Sequence, residues 1–372
     1  MAYELSDMHK RVVDTILSGS SIPSWDELQD ELAEARDVVE VERVVEKVVE
    51  VEVPGPERIV YGTPPDTDAS PTGREMIDTG MFNSDIGKVE VFQWDVPHPD
   101  VPVSLGEGYV EDTLHLKAFN HAIRRRYPVQ FVGPTGSGKT TLPMEYCART
   151  QRPLLRVSCN EETTVQTIWG QTGLKDDETV FEPGPMTRAL TQGHFILIDE
   201  VDRLVDGPLY TLFPVTEGQK VFLNPVSGEP INVHPDFRVI FTANTVGRGD
   251  VEALYQGAQV QSVAHLDRIG TFIEVGYLNE DQKGVALVSK GVTPDVAAKL
   301  AEYATTAERA FLNGDVVTPT TLRGLYRIGQ LMKDGFGYVE AFDLVVRNRA
   351  SEEDGETLWV LFDHKFGEKE EV

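Results

Sequence analysis

One stretch of the sequence decides the fold: Val129-Gln130-Phe131-Val132-Gly133-Pro134-Thr135-Gly136-Ser137-Gly138-Lys139-Thr140-Thr141. Its first four residues predict a buried strand, and the LPMEYCART that follows the motif predicts a helix. The turn between them has the spacing G-x-x-x-x-G-K-S/T, in which glycine backbone wraps closely around a phosphate and the helix N-terminus adds positive potential. We therefore expect the residues from Gly133 to Thr141 to bind the phosphates of a nucleotide.

Two side chains of this loop have specific chemical roles in such a site. The Lys139 ammonium would reach the β- and γ-phosphates, and the Thr140 hydroxyl would be a ligand of Mg²⁺. ATP and Mg²⁺ are therefore the expected cofactors.

A second apolar run, Phe195-Ile196-Leu197-Ile198, ends in Asp199-Glu200. Ligands of open α/β sheets bind at the carboxyl ends of the strands, which is where these two acids fall. We expect Asp199 to hold Mg²⁺, directly or through water, and Glu200 to orient and polarise the attacking water.

A third predicted strand, RVIFTA, stops at Asn244. An uncharged amide at this edge can hold the attacking water in place without adding charge. We therefore add Asn244 to the predicted catalytic residues.

The order of these segments indicates the organisation of the chain. From about residue 106, apolar strands alternate with helical stretches, which predicts an α/β core over 106–275 with a parallel sheet and helices on both faces. Residues 276–372 then predict a helical region with an acidic tail, with helix starts at Asn279, Thr293-Pro294 and Thr318-Pro319.

The first hundred residues have a different texture. Residues 1–53 predict a helical extension, although the short 3-4-3 valine spacing and the Val49–Val53 alternation leave a partner-packing helix and a surface hairpin both open. Residues 54–105 are rich in Pro, Gly, Asp, Ser and Thr, and they predict a linker or extended arm.

Composition restricts the class of protein. The chain has 61 acidic and 34 basic residues among 372, a formal net charge of −27. General nucleic-acid binding relies on Lys and Arg to neutralise phosphates, so this balance argues against it. No stretch approaches the roughly 18 apolar residues of a membrane span, and Cys147 and Cys159 form no disulfide or zinc pattern. We expect a soluble cytoplasmic protein without a membrane partner.

The chain contains, in this order, the glycine-rich phosphate loop, FILIDE, FTAN and a helical tail. This order resembles that of the AAA+ ATPases of the MoxR branch, which include the CobS subunits of aerobic cobaltochelatase. The stretch FTANTVGRGDVEALYQGAQVQSVAHLDRIG carries the same resemblance. The resemblance covers about residues 106–330. It implies an AAA+ core with a C-terminal helical lid, assembled as a hexameric ring with ATP at subunit interfaces. KVFLNPVSGEPINVHPD resembles the family's pre-sensor hairpin, which lines the ring pore, with Ser227-Gly228 at the turn; TVFEPGPMTRAL resembles its insert.

The resemblance also implies roles for arginines. Arg268, in Leu266-Asp267-Arg268, occupies the place of the family's finger arginine, which acts in trans on the neighbouring subunit's ATP, and Arg248 is the alternative. The family's sensor 2 arginine is replaced by threonine in Thr318-Pro319-Thr320. Arg323 follows three residues later and could take over that role from the same helix face.

Three functions remain open at this stage. The resemblance favours an ATP-hydrolysing ring that remodels or activates a protein partner, such as a von Willebrand factor A protein or a metal-chelatase complex. A nucleic-acid translocase and a nucleotide-gated assembly scaffold with little turnover are the alternatives. Residues 1–60 have a net charge of −9 and residues 351–372 a net charge of −6, and this acidity favours a protein partner over a nucleic acid.

Overall fold

A computed structural model describes residues 69–77, 81–175, 178–245 and 263–367. The predictions for the helical extension over 1–53, for the first part of the linker and for Arg248 lie outside the described residues.

The elements alternate between strands and helices in the first part and are helical in the last. The strands are β1 (Gly73–Ile77), β2 (Val89–Gln93), β3 (Val129–Val132), β4 (Leu154–Ser158), β5 (Gly170–Lys175), β6 (Glu178–Pro183), β7 (Phe195–Asp199), β8 (Val221–Leu223), β9 (Pro230–Asn232), β10 (Arg238–Ala243) and β11 (Thr271–Glu274). The α-helices are α1 (Thr113–Arg125), α2 (Thr141–Arg149), α3 (Val165–Trp169), α4 (Pro185–Gln192), α5 (Asp206–Tyr210), α6 (Phe213–Thr216), α7 (Val263–Arg268), α8 (Glu280–Ser289), α9 (Pro294–Leu312), α10 (Leu322–Lys333), α11 (Tyr338–Val345) and α12 (Glu352–Phe366).

A five-stranded sheet in the order β11-β3-β10-β7-β4 forms the centre of the fold. Every neighbouring pair in it is parallel, so the carboxyl ends of all five strands meet at one edge. β3 lies between β11 and β10, and the glycine-rich loop therefore leaves the sheet interior directly beside the end of β10. The predicted parallel α/β sheet is confirmed.

The sheet is covered on both faces, as predicted. Side chains of a strand alternate between faces, and on β7 they enter two different cores. Ile196 and Ile198 pack in a cluster that contains Trp169 of α3, whereas Phe195 and Leu197 pack in a cluster with Phe119 of α1. All of these side chains are at most 1% exposed. Helices therefore exclude water from each face, which explains why the first four residues of β7 are all apolar.

Part of the predicted linker is folded against this core, which corrects the expectation of an extended arm. β1 and β2 form an antiparallel pair. Phe82, Ile86 and Val89 are buried in the cluster that contains Phe119. The segment is rich in Pro, Gly and Asp, so its few apolar residues gave no local signal of burial. They become buried only because the folded chain brings them against the core.

Two further antiparallel hairpins extend the α/β part, β5–β6 and β8–β9. The second confirms the hairpin expected around Ser227-Gly228, where Gly228 has a φ of +74°. Several aliphatic side chains on these hairpins are exposed, namely Leu174, Val180, Val221 and Leu223.

Helices α8 to α12 pack around their own apolar core, so the predicted helical C-terminal region is present. The core of this lid includes Leu300, Tyr303, Phe342, Leu358 and Phe362, all fully or almost fully buried.

Two of the three predicted helix starts in this region are confirmed. Asn279 caps α8 through a capping box, and Thr293 precedes Pro294 at the start of α9. The start at Thr318-Pro319 is wrong. The Asp354 carboxylate accepts the Thr318 N–H at 2.7 Å, and the chain stays non-helical until Thr321 caps α10 through the Gly324 N–H.

Within the described residues, no helix combines the length and the apolar character needed to cross a membrane.

Candidate nucleotide site

The glycine-rich loop between β3 and α2 passes so close to its neighbours that side chains are excluded. A Cβ on Gly133 would lie 2.0 Å from the backbone oxygen of Val275. At Gly136, where φ is +84°, a Cβ would lie 2.8 Å from the Thr321 Cγ2. Glycine is therefore required at both positions, and the N-terminus of the lid helix α10 lies directly against the loop.

Lys139 is buried at the centre of this loop. Its Nζ donates to the carbonyl oxygens of Gly133 (2.7 Å) and Pro134 (2.8 Å) and to Asn244 Oδ1 (3.0 Å). Burial lowers the pKa of the ammonium to about 8, although nearby carboxylates favour its charged form. The loop thus holds a desolvated cation whose interaction with phosphate oxygens would be little screened by water.

Asp199, at the end of β7, accepts hydrogen bonds on both carboxylate oxygens. Oδ1 accepts from Thr140 Oγ1 at 3.0 Å and from Thr242 Oγ1. Oδ2 accepts from Arg156 Nε at 3.0 Å and from its Nη2. Thr140 and Asp199, the two predicted metal ligands, therefore lie side by side although they are 59 residues apart in the sequence.

Glu200 has an unusual backbone conformation, a left-handed φ of +57° and ψ of +46°. Its N–H donates to Thr242 Oγ1 at 2.9 Å, which holds the turn in place. Its carboxylate lies 3.4 Å from Arg203 Nε and is 43% exposed. A non-glycine residue in this region is strained by about 1 kcal/mol or more. The turn leaves the Glu200 carboxylate partly exposed directly after β7.

Asn244 follows β10 and is held from two sides. Its Oδ1 accepts from Lys139, and its backbone N–H donates to Asp202 Oδ2 at 2.9 Å. Asp202 is fully buried and also accepts the Thr245 N–H at 3.0 Å. A buried carboxylate with two backbone donors fixes the turn after β10, and with it the position of the Asn244 amide.

These residues suit a magnesium–nucleotide complex. Ser137 Oγ in the loop is buried, and it has no hydrogen-bond partner among the described residues, which leaves it available to a phosphate. The hydroxyl of Thr140 and the carboxylate of Asp199 are hard oxygen donors of the type that Mg²⁺ prefers. Lys139 supplies the cation, and the amide groups of the loop supply further donors.

Arg268 lies apart from the loop of its own chain. Its Nε donates to Glu217 Oε1 at 2.7 Å and its Nη1 to the Ala264 carbonyl at 2.5 Å. The guanidinium also lies 4.5 Å from the centre of the Phe213 ring. Within the described part of the chain, these contacts are all to α6, α7 and the residue after α6, so the fold does not bring Arg268 to the nucleotide site of the same subunit.

Arg323 is the second residue of α10, directly after the Thr321 cap that touches Gly136. Its side chain is exposed. The corrected start of α10 places Arg323 in the first helical turn beside the loop. Its role as sensor 2 remains a proposal, which this position supports.

Three residues around the site escaped the sequence analysis, namely Arg156, Asp202 and Thr242. Each interrupts or closely follows an apolar strand: Arg156 in LLRVS, Thr242 in RVIFTA, and Asp202 three residues after Asp199. A polar residue in a buried strand needs a hydrogen-bond partner, so its presence in an apolar run signals an interaction. The sequence does not identify the partner, because the order of the strands in the sheet decides which residues meet.

Part of the chain is similar in sequence to known proteins. Residues 128–256 match the family of AAA domains of the dynein-related subfamily. NorQ of Paracoccus denitrificans is 32% identical over 145 residues, covering 37% of this chain and 54% of NorQ. The aerobic cobaltochelatase subunit CobS of a Sinorhizobium species is 30% identical over 250 residues, covering 62% of this chain and 74% of CobS.

Among solved structures, the Thermotoga maritima RuvB Holliday junction branch migration motor is similar at 18% identity, with a TM-score of 0.41, over 71% of this chain and 72% of RuvB.

The chain belongs to the AAA+ ATPases of the MoxR type. It spans about half of the length of NorQ and about three quarters of CobS.

Replacing Lys139 by alanine is expected to weaken ATP binding by about 100-fold, because charge-assisted hydrogen bonds to phosphate are worth roughly 1.5–3 kcal/mol each. Titration with a fluorescent ATP analogue measures the loss. Lys117→Ala, which removes an exposed lysine of α1, is the matched control and should bind normally. Unchanged affinity in the Lys139 variant would rule out the phosphate site.

Proposed function

We propose that the chain is the subunit of a cytoplasmic ring that hydrolyses ATP with Mg²⁺ and uses the energy to remodel or activate a protein partner. The observation that carries this proposal is the meeting of Lys139, Thr140, Asp199, Glu200 and Asn244 at one edge of the sheet. Each of them has the chemistry that phosphoryl transfer to water requires at its position.

The proposed division of work follows from the contacts. Lys139 exchanges the Gly133 and Pro134 carbonyls for phosphate oxygens. Thr140 and Asp199 hold Mg²⁺, which neutralises charge on the phosphates when bound. Glu200 accepts the proton of the attacking water, and Asn244 holds that water through its amide. Thr242 positions Glu200, and Asp202 positions Asn244, because each accepts a hydrogen bond from the backbone N–H of that residue.

The assembly into a ring, a hexamer by family resemblance, is supported by the location of Arg268. A finger arginine must approach the transferred phosphoryl group, whereas this guanidinium is engaged with Glu217 on its own chain. A neighbouring subunit's site is therefore its proposed target. The Glu200 side chain is 43% exposed, so a residue from another chain can approach it.

A protein partner is favoured by the surface. Leu174 on β5 is 82% exposed and Leu223 on β8 is 66% exposed, and these side chains are the proposed contacts for a polypeptide. The net charge of −27 disfavours nucleic acid. The relative CobS is named as a cobaltochelatase subunit, which makes a metal-chelatase complex the proposed class of partner. A von Willebrand factor A protein is proposed from the family resemblance alone.

Capture with the Glu200→Gln chain tests the partner. With ATP present, this variant should retain a partner that Lys139→Ala chains, which are expected to bind ATP about 100-fold more weakly, do not retain at the same ATP concentration. The retained protein, once purified, should raise the ATPase rate of the unmodified chain severalfold. Sedimentation of the same samples measures ring assembly.

Three other results would contradict the proposal. Stimulation by single-stranded or duplex DNA at physiological salt would favour a translocase. Assembly with ATP but without measurable turnover under any addition would favour a scaffold. A chain that remains a monomer with ATP would exclude the ring.

A further inference from the structure

Arg156 forms an ion pair that the proposed reaction does not use. It lies on β4, an edge strand of the sheet that pairs directly with β7. Its guanidinium approaches Asp199 Oδ2 with two nitrogens, Nε at 3.0 Å and Nη2. The Arg156 side chain is 47% exposed, while that of Asp199 is 7% exposed.

This pair saturates the carboxylate. An ionised carboxylate offers about four lone-pair sites, and Asp199 accepts four hydrogen bonds, two from Arg156 and one each from Thr140 and Thr242. A metal ion, or a water bound to it, can reach Asp199 only if one of these donors leaves.

The three donors differ in their freedom to leave. Thr242 is completely buried and also accepts the Glu200 N–H, so moving it would disturb the turn at Glu200. Thr140 is the other proposed metal ligand and stays beside the ion. Arg156 is half exposed, so its guanidinium can move into water when a metal ion replaces it at the Asp199 carboxylate.

We propose that Arg156 is a built-in competitor of Mg²⁺ at Asp199. The guanidinium satisfies the carboxylate until the metal arrives with the nucleotide, and metal binding displaces it towards solvent. The arginine thereby lowers the affinity of Asp199 for a divalent ion. This inference rests on the proposed function because it requires Asp199 to serve the metal of a bound nucleotide.

The test is a titration of the full chain with Mn²⁺ in the presence of saturating ADP. Electron paramagnetic resonance measures the concentration of free Mn²⁺ at each step. Arg156→Gln should bind Mn²⁺ about fivefold more tightly than the unmodified chain, the scale of a half-exposed ion pair. Arg188→Gln is the matched control. It removes the same charge from a guanidinium that pairs with Asp100 at 3.1 Å, and it should leave Mn²⁺ affinity unchanged.

Arg156→Met, which keeps the aliphatic stem, gives the same expectation and replaces Arg156→Gln if that variant does not fold. Unchanged or weaker Mn²⁺ binding in the folded variant would overturn the inference. If Mn²⁺ does not change the affinity of the unmodified chain for ADP, both the proposed function and the inference about Arg156 fail. If the unmodified chain binds Mn²⁺ with ADP and the Arg156 variant binds it no more tightly, only the role of Arg156 fails.

Discussion

Replacement of Arg268 by alanine is expected to slow ATP hydrolysis by about 10³-fold or more and to leave ATP binding almost unchanged. A finger arginine neutralises charge that develops on the transferred phosphoryl group, and in well-studied NTPases it contributes roughly 10³–10⁵ in rate. The Arg268 guanidinium bonds Glu217 and lies over Phe213. Reaching a neighbour's nucleotide therefore requires exchange of the Glu217 contact for phosphate oxygens. Single-turnover phosphate release and nucleotide titration measure the two effects separately.

Mixed rings distinguish action in trans from a structural role of Arg268. Arg268→Ala chains and Glu200→Gln chains should each be inactive alone, but a mixture contains interfaces with an intact Glu200 on one side and an intact Arg268 on the other. Partial recovery of hydrolysis is expected. Arg309→Ala, an exposed arginine on α9, is the control and should behave normally. Failure of every mixture would show that the arginine does not act in trans.

Glu200→Gln is expected to reduce hydrolysis by about 10²–10⁴-fold, the usual contribution of a general base. Glutamine keeps the size of the side chain but cannot accept the proton of the attacking water. The contact that holds the turn is made by the Glu200 N–H to Thr242, which the substitution does not change. ATP affinity and ring assembly should therefore persist while phosphate release slows.

The control for this variant is Glu356→Gln, which makes the same chemical change at an exposed position of α12. It should hydrolyse ATP at the normal rate. Turnover by Glu200→Gln equal to that of the control would remove Glu200 from the role of base.

Much of the site could be predicted because its parts are local. A strand, a glycine-rich turn and a helix start are adjacent in the stretch from Val129 to Thr141, and each is determined by short-range geometry. Asp199, Glu200 and Asn244 follow apolar strands, and parallel strands bring their carboxyl ends to one edge. The pattern predicted this edge without knowledge of the strand order.

The folded segments within the linker were not predicted, because their burial depends on distant residues rather than on a local pattern. Phe82, Ile86 and Val89 are scattered among turn-forming residues, and no local pattern shows that they are buried beside Phe119. The start of α10 was misplaced because Asp354, 36 residues away from Thr318, binds the backbone where the Thr-Pro signal predicted a helix.

By itself, the sequence determined the class of fold, the phosphate loop and the residues at the strand ends, since backbone geometry and side-chain type at neighbouring positions decide them. Only the tertiary structure decided which side chains meet. The order β10-β7-β4 brings Thr242 and Arg156 to opposite sides of Asp199, and it brings Asp202 under the turn of Asn244. Contacts between distant residues depend on strand order and register, which the local spacing of residues does not encode.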